Sequence, residues 1–252
     1  MSSKVFIVTG ASRGIGLAVA QALIQASHKV FLVARTEKSL QELKTQHSTS
    51  VDFITADLAD LKVAPKIIES TLKAFGKIDG IVVNHGILSP ITRISESSVE
   101  EWRHAYDINV FSALALIKES IPELRKSQGR VVFVSSGAAF GAYAGWGSYG
   151  TSKAALTHLS THLAVEEPSI TSVAISPGKV NTEMQKQIRD DGKTGMSAEI
   201  HASFVDEHES GLLLDPKKPG SVIAKLVESA TSDLSGKYFR WNAAELAKFQ
   251  DA

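Results

Sequence analysis

Short apolar runs alternate along this chain with longer segments in which apolar residues recur at helical spacing. The apolar runs predict seven β-strands, at Val5–Thr9, Val30–Ala34, Val51–Ala56, Ile78–Asn84, Arg130–Ser135, Thr171–Ser176 and Lys237–Arg240. The intervening segments predict helices at about 15–26, 38–46, 62–75, 99–127, 149–166 and 219–231. Because strands that are apolar along their whole length are buried on both faces, the pattern predicts a doubly wound parallel sheet with helices on both sides.

Residues 183–213 depart from this alternation, because they are charged and contain Gly192 and Gly195. Long connections inside a compact domain are usually functional or disordered. Since this segment comes soon after Pro177-Gly178, we predict that it forms a lid over the active site. In the alternative interpretation, residues 183–213 form a surface segment with no role at the active site.

Composition and charge exclude several classes of binding partner and catalytic group. Lys and Arg together number 27, as do Asp and Glu, so no net charge attracts nucleic acid or an anionic membrane. The chain has no cysteine, which excludes disulfides, thiolate nucleophiles and zinc–thiolate sites. His158 and His162 lie one helical turn apart, but no third ligand accompanies them, and we expect no metal site.

Targeting signals are not evident. The run Val5–Val8 is too short for a signal peptide, and no stretch approaches the roughly 20 apolar residues that span a bilayer. The last four residues match no retention, peroxisomal or prenylation signal. We therefore predict a cytoplasmic protein, with the nucleus as a second location.

A glycine-rich loop follows the first predicted strand. Gly10, Gly14 and Gly16 join that strand to a helix, with Ser12 and Arg13 between them. Glycines let the backbone approach a pyrophosphate, and the helix N-terminus offers free N–H groups to it. The loop therefore predicts a dinucleotide site.

The residue after the second predicted strand bears on the choice of dinucleotide. Sites for NAD usually carry an acidic residue about 20 residues past the glycine loop, to bind the ribose hydroxyls. Here Arg35 occupies that region, and Arg13 and Arg35 could converge on a 2′-phosphate. This favours NADP(H); two solvated arginines are the alternative.

Two further strand ends fit a cofactor groove. Asp57-Leu58 follows the third strand, where a carboxylate could accept a hydrogen bond from an adenine amino group; a helix N-cap is the alternative role for Asp57. At the end of the fourth strand, Gly86 would let the backbone lie against the cofactor beside Asn84.

A tyrosine and a lysine carry the predicted proton chemistry. Tyr149 and Lys153 lie one helical turn apart, so their side chains share a face. A tyrosine with a pKa near 10 is a poor acid or base at neutral pH, and we expect the lysine charge to lower that pKa. Ser136, at the end of the fifth strand, could hold a substrate oxygen beside Tyr149.

These motifs resemble the short-chain dehydrogenase/reductase family over nearly the whole chain. The matching residues are Thr9-Gly10-x3-Gly14-x-Gly16, Asn84-x-Gly86, Asn109, Ser136, Tyr149-x3-Lys153 and Pro177-Gly178-x-Val180-x-Thr182. Together with the alternation, they predict a single Rossmann-type domain over residues 1–252, with a parallel sheet in the strand order 3-2-1-4-5-6-7.

The resemblance also implies roles for individual residues. It implies a catalytic tetrad of Asn109, Ser136, Tyr149 and Lys153, in which Asn109 holds a water that links Lys153 to solvent. Pro177, Gly178, Val180 and Thr182 would contact the nicotinamide and phosphates, and Ile15 would line the groove with Asn84 and Gly86. The family commonly has alanine where this chain has His85, which could touch a ligand or be hydrogen-bonded locally.

Within the family, three stretches (134–138, 145–149 and 210–216) look like the benzil-reductase group, which is related to sepiapterin reductases. Arg240 appears where sepiapterin reductases have an acidic residue, which argues against a pterin substrate. We expect an aromatic or vicinal-diketone substrate, because aromatic residues lie between Ser136 and Tyr149. The predicted pocket residues besides Ser136 are Ala138, Phe140, Tyr143 and Trp146, with core or subunit packing as the alternative for the aromatics.

The sequence therefore predicts an NADPH-dependent carbonyl reductase with Tyr149 as proton donor. A 3-oxoacyl-thioester reductase and a non-catalytic NADPH sensor are the alternatives. The 99–127 helix has apolar residues around much of its circumference, which suggests a subunit interface; the resemblance implies a homodimer or homotetramer.

Overall fold

A computed structural model describes residues 3–250, which form a seven-stranded, entirely parallel sheet. The strands are β1 (Val5–Thr9), β2 (Lys29–Ala34), β3 (Val51–Thr55), β4 (Gly80–Val83), β5 (Arg130–Val134), β6 (Thr171–Ser176) and β7 (Tyr238–Arg240). Their order is β3-β2-β1-β4-β5-β6-β7, which confirms the predicted sheet. The order reverses between β1 and β4, where the strand ends leave a crevice.

Nine α-helices accompany the strands within the described residues. They are α1 (Gly14–Gln25), α2 (Glu37–Gln46), α3 (Val63–Phe75), α4 (Val99–Tyr106), α5 (Ser112–Ser127), α6 (Gly147–Glu166), α7 (Glu183–Gly195), α8 (Ala198–Glu209) and α9 (Lys217–Ser229). None of them is long and apolar enough to cross a membrane.

Successive residues of the central strands enter two different cores. Phe6 and Val8 of β1 pack in the core beneath α1, α2 and α9, whereas Ile7 packs in the core beneath α3, α5 and α6. Side chains of a strand point alternately to opposite faces, so a strand with helices on both sides must be apolar at every position. This arrangement explains the continuous apolar runs.

The fourth strand is shorter than the predicted Ile78–Asn84. Side chains replace ladder partners at both ends: a carboxylate oxygen of Asp79 accepts the Val5 N–H at 2.7 Å, and the Asn84 N–H donates to the Thr9 hydroxyl at 3.0 Å. The strand is therefore limited to Gly80–Val83, although the Asp79 N–H still donates to the Val5 carbonyl at 2.8 Å.

The predicted helix over 99–127 is not one continuous α-helix. Residues Asp107–Phe111, here called the π-turn, separate α4 from α5. Such single turns of wider helix occur often at functional sites. The π-turn carries Asn109.

The segment predicted as a lid over 183–213 contains two helices, α7 and α8. Side-chain oxygens cap both helix N-termini, Thr182 accepting from the Gln185 N–H and Ser197 from the Ile200 N–H. The stems of the segment pair with each other, since the Asn181 N–H donates to the Leu214 carbonyl at 2.9 Å. The segment is thus an ordered helical insertion whose two ends, called its stems, are hydrogen-bonded to each other at Asn181 and Leu214.

Gly195 places the end of α7 against its neighbours. A Cβ atom on Gly195 would overlap the carbonyl oxygen of Ile91, and a Cβ atom on Gly145 would in turn overlap the backbone of Gly195. We expect Gly195→Ala to destabilise the protein by roughly 1–3 kcal/mol, because the clash is with backbone that cannot move freely. Urea unfolding and limited proteolysis within 183–209 would measure the effect.

Gly141→Ala is the matched control, because a Cβ atom there meets only the Gly137 carbonyl oxygen at 3.6 Å. Equal stability of the two variants would contradict close docking of α7.

Candidate active site

A cavity of about 920 Å³ opens at the carboxyl ends of the strands. Every site residue that the sequence predicts lines this cavity, except Asn109, Gly16 and Phe140. The sheet brings them together because parallel strands all end at the same edge.

The glycine loop is shaped by close backbone contacts. Gly10 and Gly14 have positive φ angles of 65° and 56°, a conformation that favours glycine. Gly16 lies behind the loop, where a Cβ atom would overlap the Gly10 carbonyl oxygen. The side-chain amide of Asn84 supports the loop by donating to the Thr9 carbonyl at 3.0 Å. The N–H groups at the start of α1 therefore face an open loop suited to an anion.

Arg13 and Arg35 both line the cavity and are exposed. Neither guanidinium forms an ion pair with a carboxylate of residues 3–250. Asp57 lines the cavity as well, and its carboxylate accepts the Ala59 N–H at 3.0 Å. The alternative role of Asp57 as a helix N-cap is wrong, because α3 begins six residues later at Val63.

Tyr149 and Lys153 are buried side by side at the start of α6, with 7% and 3% of their surfaces exposed. The Lys153 ammonium donates to the Val134 carbonyl at 2.8 Å and lies 5.8 Å from the centroid of the Tyr149 ring. Ser136 follows β5, and its hydroxyl oxygen accepts the Ala138 N–H at 3.1 Å. The three side chains thus line one wall of the cavity.

The electrostatics of this pair differ from the sequence expectation. Burial raises the pKa of the Tyr149 phenol, and a hydrogen bond with Ser136 opposes that rise. Burial lowers the pKa of Lys153 from 10.5 to about 8. The expected lowering of the Tyr149 pKa by Lys153 is therefore absent, because the loss of hydration outweighs the hydrogen bond with Ser136.

Asn109 lies behind the cavity wall and is 1% exposed. Its side-chain oxygen accepts the Ile87 N–H at 2.8 Å, and its nitrogen donates to the Ile87 carbonyl at 2.9 Å and to Ser152 at 3.0 Å. Gly86 lies between Asn109 and Lys153, since a Cβ atom there would be 3.2 Å from Asn109 Oδ1 and 3.3 Å from Lys153 Nζ. Absence of a side chain at residue 86 lets these groups approach.

Aromatic and aliphatic side chains surround Tyr149 at one end of the cavity. The Trp146 ring lies edge-on to the Tyr149 ring, with centroids 5.9 Å apart, and 4.8 Å from the Tyr143 ring. Phe140 does not belong to this wall: it is 69% exposed and packs on Tyr238 at 4.5 Å. The prediction of Phe140 as a pocket residue is corrected on this geometry.

Sequence reasoning missed several wall residues. Ile188 and Phe204 come from α7 and α8, where no sequence signal marked a pocket. Leu88 also lines the cavity, and its place just after Asn84-x-Gly86 at a strand end could have indicated it.

His85 lines the cavity and is also hydrogen-bonded on both ring nitrogens. Burial, followed by the charge of Lys153, lowers its pKa from 6.5 to about 3. The local hydrogen bonding that the sequence analysis considered is therefore present.

Residues 4–193 match the family described as short chain dehydrogenase. A Saccharomyces cerevisiae benzil reductase, described as (S)-benzoin forming, is 40% identical over 260 residues, covering 98% of this chain and 99% of that protein. The crystal structure of the S. cerevisiae short chain dehydrogenase/reductase YIR035C superposes with a TM-score of 0.96 at 38% identity, covering 99% of this chain and 100% of that one. A cytoplasmic S. cerevisiae protein with unknown function gives 0.84 at 37% identity, with 99% and 100% covered. The chain belongs to the short-chain dehydrogenase family.

The resemblance read from the sequence motifs, to this family and to its benzil-reductase group, is confirmed. The protein is an oxidoreductase of the short-chain dehydrogenase family, whose members bind a nicotinamide cofactor.

The buried charge of Lys153 should reduce the stability of the fold. Its pKa of about 8 lies below the 10.5 of an unfolded chain, so the cost is complete below pH 8 and disappears between pH 8 and 10.5. We expect Lys153→Met to stabilise the protein by roughly 1–3 kcal/mol at pH 7, and by less as the pH rises. Urea unfolding at several pH values would measure this difference.

Lys66→Met, at an exposed position of α3, serves as the control and should have little effect at any pH. A Lys153→Met variant that is less stable than the wild type at pH 7 would disprove the prediction.

Proposed function

We propose that this short-chain dehydrogenase is an NADPH-dependent carbonyl reductase that acts on small aromatic or vicinal-diketone substrates. The observation that carries the proposal is the burial of Tyr149 and Lys153 side by side in the same cavity as the open glycine loop. A proton donor and a dinucleotide site in one cavity suit hydride transfer to a carbonyl.

The residues present fit a nicotinamide dinucleotide. The positive φ of Gly10 and Gly14 and the start of α1 form a cradle for the pyrophosphate. Arg13 and Arg35, which have no carboxylate partner among the described residues, would bind a 2′-phosphate. When bound, NADPH would supply a hydride to the substrate carbon.

Tyr149 would supply the proton to the substrate oxygen. A raised pKa keeps the phenol protonated at neutral pH, and an alkoxide is basic enough to take its proton. Ser136, which is hydrogen-bonded with Tyr149, would orient the carbonyl oxygen toward the phenol. The phenol is therefore in the protonation state that reduction needs.

Lys153 would restore the proton to Tyr149. With a pKa of about 8, the ammonium is mostly charged at pH 7 and can release a proton at little cost. Asn109, one of the family-implied tetrad, is next to Lys153 across Gly86 and would complete a relay to solvent.

The character of the cavity wall supports the substrate class. Tyr143, Trp146 and Phe204 are in ring contact with one another at one end of the cavity. Flat aromatic rings pack favourably on such a wall. The relationship to an (S)-benzoin-forming benzil reductase points to a substrate with two adjacent carbonyls. In this proposal α7 and α8 act as the lid over the substrate end.

We also propose a cytoplasmic location, which the similarity to a yeast protein described as cytoplasmic supports.

For the assembly, we propose a homodimer or homotetramer. Phe111 and Leu114, near the start of α5, are 44% and 45% exposed and suit a contact between copies.

Tyr149→Phe should reduce kcat for a vicinal diketone by about 10²- to 10⁴-fold, the usual contribution of a general acid. NADPH binding, followed by fluorescence, should remain. Tyr106→Phe is the control, since Tyr106 does not line the cavity. Wild-type turnover in Tyr149→Phe, or a protein that binds NADPH but reduces no carbonyl in a broad panel, would disprove the reductase proposal.

Arg35→Asp should lower the preference for NADPH over NADH by roughly 10- to 100-fold, because a hydrogen bond to a charged group is worth roughly 1.5–3 kcal/mol. The ratio of kcat/KM for the two cofactors measures the change. Arg103→Asp makes the same charge change at an exposed arginine that does not line the cavity. An unchanged ratio in Arg35→Asp would exclude a 2′-phosphate contact at this residue.

A further inference from the structure

The loop after β4 is attached to the π-turn at several points. The backbone of Ile87 forms two hydrogen bonds with the Asn109 side chain, at 2.8 and 2.9 Å. Two residues earlier, His85 Nε2 lies 3.1 Å from the Ile108 carbonyl oxygen and 2.7 Å from the Ser112 hydroxyl. The residues on both sides of Gly86 thus hold the turn that carries Asn109.

His85 also connects this turn to the first strand. Its Nδ1 atom lies 2.7 Å from the hydroxyl of Thr9, the last residue of β1 before the glycine loop. The imidazole is 8% exposed, so it links β1 and the π-turn within the protein interior. No other side chain among the described residues is hydrogen-bonded to both Thr9 and Ile108.

The surrounding partners define the protonation of the ring. The Ser112 hydroxyl donates to the Ile108 carbonyl at 2.5 Å, so its oxygen is free to accept from His85 Nε2–H. The Thr9 oxygen accepts the N–H groups of Asn84 and His85, and its single hydrogen has two acceptors within reach, His85 Nδ1 at 2.7 Å and the Val82 carbonyl oxygen at 3.2 Å. A neutral ring with the proton on Nε2 satisfies both ring nitrogens when the Thr9 hydroxyl donates to the nearer acceptor, Nδ1. The low pKa of His85 agrees with a neutral ring.

We propose that His85 is a positioning residue, which holds the π-turn so that Asn109 stays in register with Lys153. The inference rests on the proposed reductase function. Gly86 leaves only a narrow gap, because a Cβ atom there would touch both Asn109 Oδ1 and Lys153 Nζ. A shift of the π-turn would therefore change the relation between Asn109 and Lys153 directly.

Three substitutions test the role of each ring nitrogen. His85→Gln can place an amide N–H near the position of Nε2 and keep the link to the π-turn. His85→Asn can reach only the position of Nδ1 and keep the link to Thr9. His85→Ala removes both links. We expect kcat to fall by about 10- to 100-fold in the Ala and Asn variants, the effect of a misplaced catalytic group, and to be largely restored in the Gln variant.

Kinetic constants separate positioning from general damage. KM for the ketone and Kd for NADPH should change by less than kcat, since His85 lines the cavity but is not among the proposed cofactor contacts. The solvent isotope effect on kcat should rise in the Ala and Asn variants, because proton transfer becomes slower.

His28→Ala is the matched control. His28 is also a buried histidine, 3% exposed, but it lies just before β2 at the opposite edge of the sheet and packs on Phe6 at 5.2 Å. It should lower the melting temperature without changing kcat or the isotope effect.

Hydrogen exchange gives a readout that does not depend on turnover. Amides of residues 107–112 should exchange faster in His85→Ala and His85→Asn than in the wild type, and at near-wild-type rates in His85→Gln and His28→Ala. If the wild type reduces no carbonyl, the proposed function fails while this measurement still tests the link. Unchanged exchange at 107–112 in His85→Ala, or equal kcat in the Gln and Asn variants, would overturn the proposal.

Discussion

The candidate active site depends on a lysine ammonium that is held almost entirely out of water. Lys153 is stabilised there by the Val134 carbonyl, and its pKa falls to about 8 because the charged form loses hydration. Such a group remains charged at neutral pH and yet releases its proton more readily than a solvated lysine. The strand end of β5, the glycine at residue 86 and the first turns of α6 all serve to create this environment.

Much of the fold and the site could be predicted from the sequence, because both rest on local patterns. Strands apolar at every position require helices on both faces, and the chemistry of Gly10, Ser136 and Tyr149 falls at strand ends or helix starts. The π-turn could not be predicted, since Asp107–Phe111 differs from ordinary helix only in its hydrogen bonding. Phe140 was misplaced because its position between Ser136 and Tyr149 gives no information on side-chain direction.

The direction of the Tyr149 pKa shift could be obtained only from the structure. From spacing alone, a lysine near a tyrosine lowers the pKa of the phenol, but the sequence does not reveal how deeply both groups are buried. In the folded protein desolvation dominates, and the Tyr149 pKa rises. The helices α7 and α8 were missed because both sequences are rich in charged residues, and because the side-chain caps at Thr182 and Ser197 were not used as signals.

The two ends of the cavity come from different parts of the chain. Ile188 and Phe204 belong to the segment whose stems pair at Asn181 and Leu214. Gly10 and Arg35, in contrast, follow β1 and β2, which lie in the other half of the sheet. Replacements between those stems can therefore reshape one end of the cavity while the backbone of the other end stays unchanged. Under the proposed function these two ends bind substrate and cofactor, so substrate range and cofactor choice can diverge independently during evolution, each under its own selection.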